Sequence, residues 1–191
     1  QKLCYEFLKE KIVKKEPLSI ELVKEIHKIL TSGIYDEHRY IANKEQPGEF
    51  KRHDYITGIH EVGSAVEDVE KDLIELIIEV NEYEGKNILK VAAYLHAKFE
   101  YIHPFADGNG RVGRTLTNYY LMIHDYPPLI VYDEDKILYY ECLQKYDETE
   151  EINPLYNFFK YETEKTWEKT LLLASGIKQK RKGLSGHTTL R

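Results

Sequence analysis

Cysteine is scarce in this sequence: Cys4 and Cys142 are the only two among 191 residues. They lie far apart and fit no metal spacing, so a reduced, cytoplasmic chain is expected. No uninterrupted apolar run approaches the roughly 20 residues a membrane span needs, which argues against a membrane protein. There is no excess of positive charge either. The formal net charge is −6, so no overall field holds a phosphate backbone and nucleic-acid binding is disfavoured. No signal-peptide pattern follows Gln1, and because the first residue is not Met the start of the chain is expected to have been trimmed or processed. Internal repeats and low-complexity linkers are lacking as well. What is present is globular composition, 42% apolar and 31% charged. A chain of this length buries roughly 70% of its unfolded surface, enough for one core and too little for two large domains.

The apolar periodicity is helical with one exception. Leu3, Phe7, Leu8 and Ile12 mark a first helix over 3–14, separated by Pro17 from a second. Ser19 offers an N-cap to that second helix, whose stripe Leu22, Val23, Ile26, Ile29 and Leu30 ends near Gly33. Over 34–63 the period is lost. Pro47, Gly48, Gly58 and Gly63 punctuate short β-tolerant pieces such as Tyr55-Ile56-Thr57 and Ile59, and a small hairpin or irregular flap is expected. Ser64 and Glu67 form a capping box that predicts a helix from 64 to about 85. A helix from 88 must end near Ile102, because Pro104 restricts His103 and cannot continue the ladder. Further helices are expected from Asn109 to about His124, from about Asp135 to Tyr146, and from Pro154, at an N1 position, to about Leu173. Residues 1–175 read as a single domain and 176–191 as a basic, mobile tail of solvated charge.

The chemistry is concentrated between two of these helices, in His103-Pro104-Phe105-Ala106-Asp107-Gly108-Asn109-Gly110-Arg111-Val112-Gly113-Arg114. A helix that begins at Asn109 aims unpaired N–H groups and its positive dipole end into the loop, and the glycines let phosphate oxygens approach the backbone. Arg111 and Arg114, three residues apart, both reach back toward that N-terminus. Asp107 is the loop's only carboxylate, and a lone acid beside a polyphosphate site is the usual protein contribution to Mg²⁺. His103 can take a proton near neutral pH. The loop thus offers an acid–base group, a metal ligand and an anion cradle. Taken alone, it also fits a plain helix connection with an Asx cap and surface arginines, a reading that the density of functional groups disfavours.

This stretch resembles the signature of Fic-domain proteins, H-P-F-x-[DE]-G-N-[GK]-R-x-x-R, and matches every specified position. The helical layout around it, over about 19–160, is similar to the Fic core, so the resemblance implies an all-α fold, a Fic-type helical bundle with a small β-hairpin flap at 34–63. It implies that His103 is the general base toward a target hydroxyl and that Asp107 holds Mg²⁺. Asn109 with the Gly108 and Gly110 amides would bind the α- and β-phosphates of ATP and Arg114 the γ-phosphate. Arg111 would support phosphates and loop, and Phe105 would plug the loop into the core. Fic proteins often have aromatic residues near the base. Tyr139 and Tyr140 are candidates for that nucleotide-side role, although packing of their helix is the plainer reading.

The activity implied is transfer of AMP from ATP to a Ser, Thr or Tyr hydroxyl of a target protein docked on the flap. Gly108 and Gly110 separate the sequence from the Doc-like phosphate-transferring pattern. Transfer of another phosphate-containing group, removal of AMP, and a nucleotide-binding scaffold without chemistry are the alternatives. The inhibitory sequence [ST]-x-x-x-E-[GN] of many Fic proteins does not occur: Thr57 and Glu61 have the spacing, but Val62 follows. An inhibitor would therefore be a separate antitoxin-like chain, a segment before Gln1, or absent. The remaining histidines, His27, His38, His53, His60, His96, His124 and His187, are read as structural or solvated.

Overall fold

A computed structural model describes residues 2–55 and 63–175. Their regular structure is helical throughout: α1 (Lys2–Val13), α2 (Ile20–Thr31), α3 (Glu37–Ile41), α4 (Val69–Asn81), α5 (Ile88–Ile102), α6 (Asn109–Ile123), a 3-10 turn (Asp133–Asp135), α7 (Lys136–Thr149) and α8 (Asn153–Ala174). The all-α expectation is met.

Helix α5 is the centre of the molecule. Seven of its fifteen residues are buried, and they face two cores rather than one. Ala92, Leu95, Phe99 and Ile102 join residues of α1, α2, α4 and α6, whereas Ala93 and Ala97 pack on α7 and α8 through Tyr139, Cys142, Leu155 and Phe159. A helix that is apolar on most sides belongs inside, and its alanines let neighbouring helices approach closely. Side-chain hydrogen bonds then tie the frame. Asn81 brackets the entry to α2, donating to the Leu18 carbonyl (2.9 Å) and accepting from its N–H (3.1 Å), and the Tyr119 hydroxyl donates to the Glu16 carbonyl at 2.6 Å.

Three local expectations differ from the structure. Helix α4 begins at Val69, not Ser64, because the Ser64 hydroxyl donates to the Asp72 carboxylate (2.6 Å) instead of capping the nearby backbone. The period-free region contains a short helix, α3, started by Asp36, whose carboxylate accepts the Arg39 N–H at 2.9 Å. A β-hairpin flap is not found: no strand occurs among the described residues of 34–63, and Ile56, Thr57, Gly58 and Ile59 lie outside them. The tail at 176–191 likewise falls outside the described residues. No described helix is long and apolar enough to cross a membrane.

Candidate active site

The signature residues occupy the turn between α5 and α6. His103 ends α5 in the left-handed region, φ 50° and ψ 60°, with its N–H still bonded to the Phe99 carbonyl. Gly108, at φ 85°, opens α6. A Cβ at Gly108 would stand 2.7 Å from the Thr31 methyl carbon, so both conformation and space demand glycine there.

From Pro104 to Gly108 every backbone carbonyl accepts a hydrogen bond. The Pro104 oxygen accepts the Lys51 N–H at 2.9 Å, and the Phe105 oxygen accepts the Asn109 side-chain amide at 2.7 Å. The Ala106 oxygen takes Arg39 Nη1 at 3.0 Å, the Asp107 oxygen takes His27 Nε2 at 3.0 Å, and the Gly108 oxygen takes the N–H groups of Arg111 and Val112. Peptide units so anchored present their N–H edges on the other side. Among the described residues, the N–H groups of Ala106, Gly108, Asn109 and Gly110 donate to no protein acceptor, while that of Asp107 faces the Tyr35 hydroxyl. This is a backbone anion cradle at a helix N-terminus.

The signature side chains divide between building the cradle and charging it. Asn109 is buried, and both ends of its amide are spent on Phe105, the oxygen accepting that residue's N–H at 2.9 Å; its side chain closes the loop. Phe105 is fully buried, stacked on His27 with ring centroids 3.7 Å apart and 2° between planes. Arg111 donates to the Leu30 carbonyl (3.2 Å) and lies 3.7 Å from the Asp107 carboxylate, whose side chain is 43% exposed. Arg114 folds back over the first turn of α6, with Nη1 3.2 Å from the Cβ position of Gly110.

His103 is half-buried, with the backbone carbonyl of Glu100 near its ring. A neutral imidazole carries its proton on one ring nitrogen and keeps a lone pair on the other. Burial, then the positive charge of Lys51, lowers the His103 pKa to about 4, against the opposing pull of the Glu100 carbonyl and Asp107. The imidazole is therefore neutral near pH 7, as a proton acceptor must be.

Tyr139 is buried close to Arg114. Its hydroxyl meets His96 Nε2 at 2.6 Å. Thr117 spends its proton on the Gly113 carbonyl, so His96 Nδ1 must donate to the Thr117 oxygen and Nε2 must accept from Tyr139. Tyr140 is 52% exposed, with Tyr139 and Lys136 as ring neighbours. The signature residues thus converge, Tyr139 lies buried close to Arg114, and Tyr140 stands at the surface.

Sequence reasoning missed His27, Arg39, Lys51 and Glu100. Each lies outside the signature or carries no local pattern, and their loop partners sit as many as 80 residues away. Glu100 is notable chemically: its Oε1 is buried without a hydrogen-bond partner, burial pushes its pKa up to about 7, and the charge of Arg114 opposes that shift.

Asp107 is the one carboxylate of the signature turn and its side chain is 43% exposed, a donor set that fits a Mg²⁺ ion taking most of its ligands from phosphate oxygens and water.

The Fic/DOC family model matches residues 17–121. The chain is 33% identical over 156 residues to the protein adenylyltransferase Fic of Drosophila persimilis, covering 79% of this chain and 30% of that protein. It is 32% identical over 161 residues to the protein of the same name from Aedes aegypti, covering 78% and 30%. It thus spans about a third of the length of these relatives. Among solved structures, a Fic domain containing signaling protein from Bacteroides thetaiotaomicron superposes with a TM-score of 0.77 at 23% identity, over 95% of this chain and 72% of that one. Fic-1 from C. elegans gives 0.76, also at 23%, over 92% and 50%. At that identity the two structures speak for the fold.

Proposed function

The chain belongs to the Fic/DOC family, and from that premise we propose that it is a protein adenylyltransferase, moving AMP from ATP to a Ser, Thr or Tyr hydroxyl of a target protein. The observation that carries this reading is the anchoring of all five carbonyls from Pro104 to Gly108 by protein donors, which leaves an N–H cradle beside a neutral histidine. Relatives named as adenylyltransferases support the same transferase class.

The chain's own residues divide the work. The N–H groups of Gly108, Asn109 and Gly110 and the α6 dipole bind the α- and β-phosphates, and Arg114 engages the γ-phosphate from over Gly110. Arg111 holds the loop to α2 and adds charge. Asp107 would hold Mg²⁺, which when bound neutralises phosphate charge and orients the leaving group. The lone-pair nitrogen of His103 takes the proton of the target hydroxyl as that oxygen attacks the α-phosphorus. The bond to the bridging oxygen breaks, and pyrophosphate leaves. The target docks beside the 34–63 segment, where the Lys51 N–H is bonded to the Pro104 carbonyl. A separate antitoxin-like chain that brings an acid to the exposed Arg114 would exclude the γ-phosphate and leave His103 untouched.

Incubating wild type and His103→Ala with α-labelled ATP, Mg²⁺ and a cell lysate tests the reading. Labelled protein with wild type only, and similar ATP affinity for both, is the expected result. Equal labelling, or none with either, rejects it.

A further inference from the structure

His27 belongs to no motif, yet it touches the candidate site at three points. From the middle of α2 its Nε2 reaches the Asp107 carbonyl at 3.0 Å. Its Nδ1 receives the Gly48 N–H at 2.8 Å, from the middle of the 34–63 segment. Its ring covers Phe105 face to face.

The directions of these bonds are fixed. A backbone N–H donates, so Nδ1 accepts; a carbonyl accepts, so Nε2 carries the proton. No other side chain is planar, stacks on a phenyl ring, and offers an acceptor and a donor on opposite flanks in this way. An amide copies one nitrogen at a time. Phenylalanine copies the stack and neither bond.

We propose that His27 is a positioning residue of the phosphate-binding turn: it clamps the Asp107 carbonyl to the Gly48 backbone, so that the Asp107–Gly110 peptides present their N–H edges to the nucleotide phosphates. The assignment rests on the nucleotide-binding part of the proposed function and extends it to a residue outside the signature. Without the clamp the Asp107 carbonyl loses its partner and the Asp107–Gly108 peptide can rotate, which withdraws a donor from the cradle. Around Gly108 the nearest atoms to a Cβ position are the Thr31 methyl at 2.7 Å, Arg111 Nη2 at 3.4 Å and the His27 ring edge at 3.7 Å; Arg111 is already bonded to the Leu30 carbonyl.

The test is Mg-ATP affinity, read by calorimetry alongside thermal unfolding, for wild type, His27→Gln, His27→Phe and His27→Ala. His27→Phe should weaken Mg-ATP binding about tenfold, the size of one or two lost hydrogen bonds, and His27→Gln should fall between it and wild type. His27→Ala leaves a ring-sized hole against Phe105, and small aromatic molecules can fill such holes. Imidazole should restore its Mg-ATP affinity, and benzene, which stacks without bridging, should not. Affinity of His27→Phe equal to wild type, or equal rescue by benzene and imidazole, overturns the proposal in favour of simple packing. If His27→Ala does not fold, the comparison of Phe with Gln decides alone. Wild type that binds Mg-ATP but transfers nothing defeats the transferase reading and leaves the clamp standing; wild type that binds no Mg-ATP defeats both.

Discussion

Gly63 stands against His103 so closely that a Cβ on the glycine would lie 2.9 Å from the histidine's own Cβ, and equally close to the Ile102 carbonyl oxygen. The glycine also sits at φ 70°. Both facts say that a side chain at 63 must displace the end of α5 or the residue itself. Gly63→Ala should lower transfer at least about tenfold, because it shifts the base, while ATP affinity changes little, because the cradle lies beyond Phe105. Single-turnover rates and nucleotide titration on the same preparation check this. Wild-type rates would show that the contact relaxes harmlessly.

The pH dependence follows from His103. A general base works when neutral, so transfer should persist below pH 6 and fall only as pH approaches the His103 pKa of about 4. Burial is the main cause of that low value and the Lys51 charge the next. Lys51→Met removes the charge, so its acid limb should move to higher pH. A limb that stays in place would mean that Lys51 does not tune the base.

Asp107→Ala should weaken Mg-ATP binding about tenfold or more and abolish its Mg²⁺ dependence, since Asp107 is the carboxylate of the cradle. It also frees Arg111 from its 3.7 Å neighbour, so affinity for ATP without Mg²⁺ should hold or rise. Titrations with and without EDTA separate the two effects. An unchanged Mg²⁺ requirement would remove Asp107 as the ligand.

Glu100 predicts a stability effect of definite sign. Its folded pKa, about 7, lies above the ordinary 4.5, with burial as the leading cause. The folded protein therefore holds a proton there that the unfolded chain releases. That contribution is present below pH 4.5 and is lost as pH rises through 7. Glu100→Gln cannot ionise, so its stability relative to wild type should grow by up to about 3 kcal/mol between pH 4.5 and 8. Denaturant unfolding at both pH values reads the difference. A constant offset would place the carboxyl in a better-solvated setting.

The sequence made the helices and the loop legible for separate reasons. Amphipathic stripes such as Leu22, Val23, Ile26 and Leu30 are local facts, and so is the dense run from His103 to Arg114. The residues that hold the loop in shape are another matter. His27 looks like any histidine on an apolar face until the fold places it 3.0 Å from the Asp107 carbonyl, and Arg39 looks like any charge in an irregular stretch until it meets Ala106. Helix α3 was hidden because five residues carry too little periodicity to register. The start of α4 was misplaced because Ser64 had two chemically equivalent uses, and only the tertiary position of Asp72 selects between them.

Partition of label between the two ends of ATP tests the account most directly. With wild type and Mg²⁺, label from the α-phosphate should enter protein while label from the γ-phosphate appears in pyrophosphate, and His103→Ala should leave both in ATP. Protein that carries the γ-label instead, or α-label that enters protein equally with His103→Ala, would contradict it.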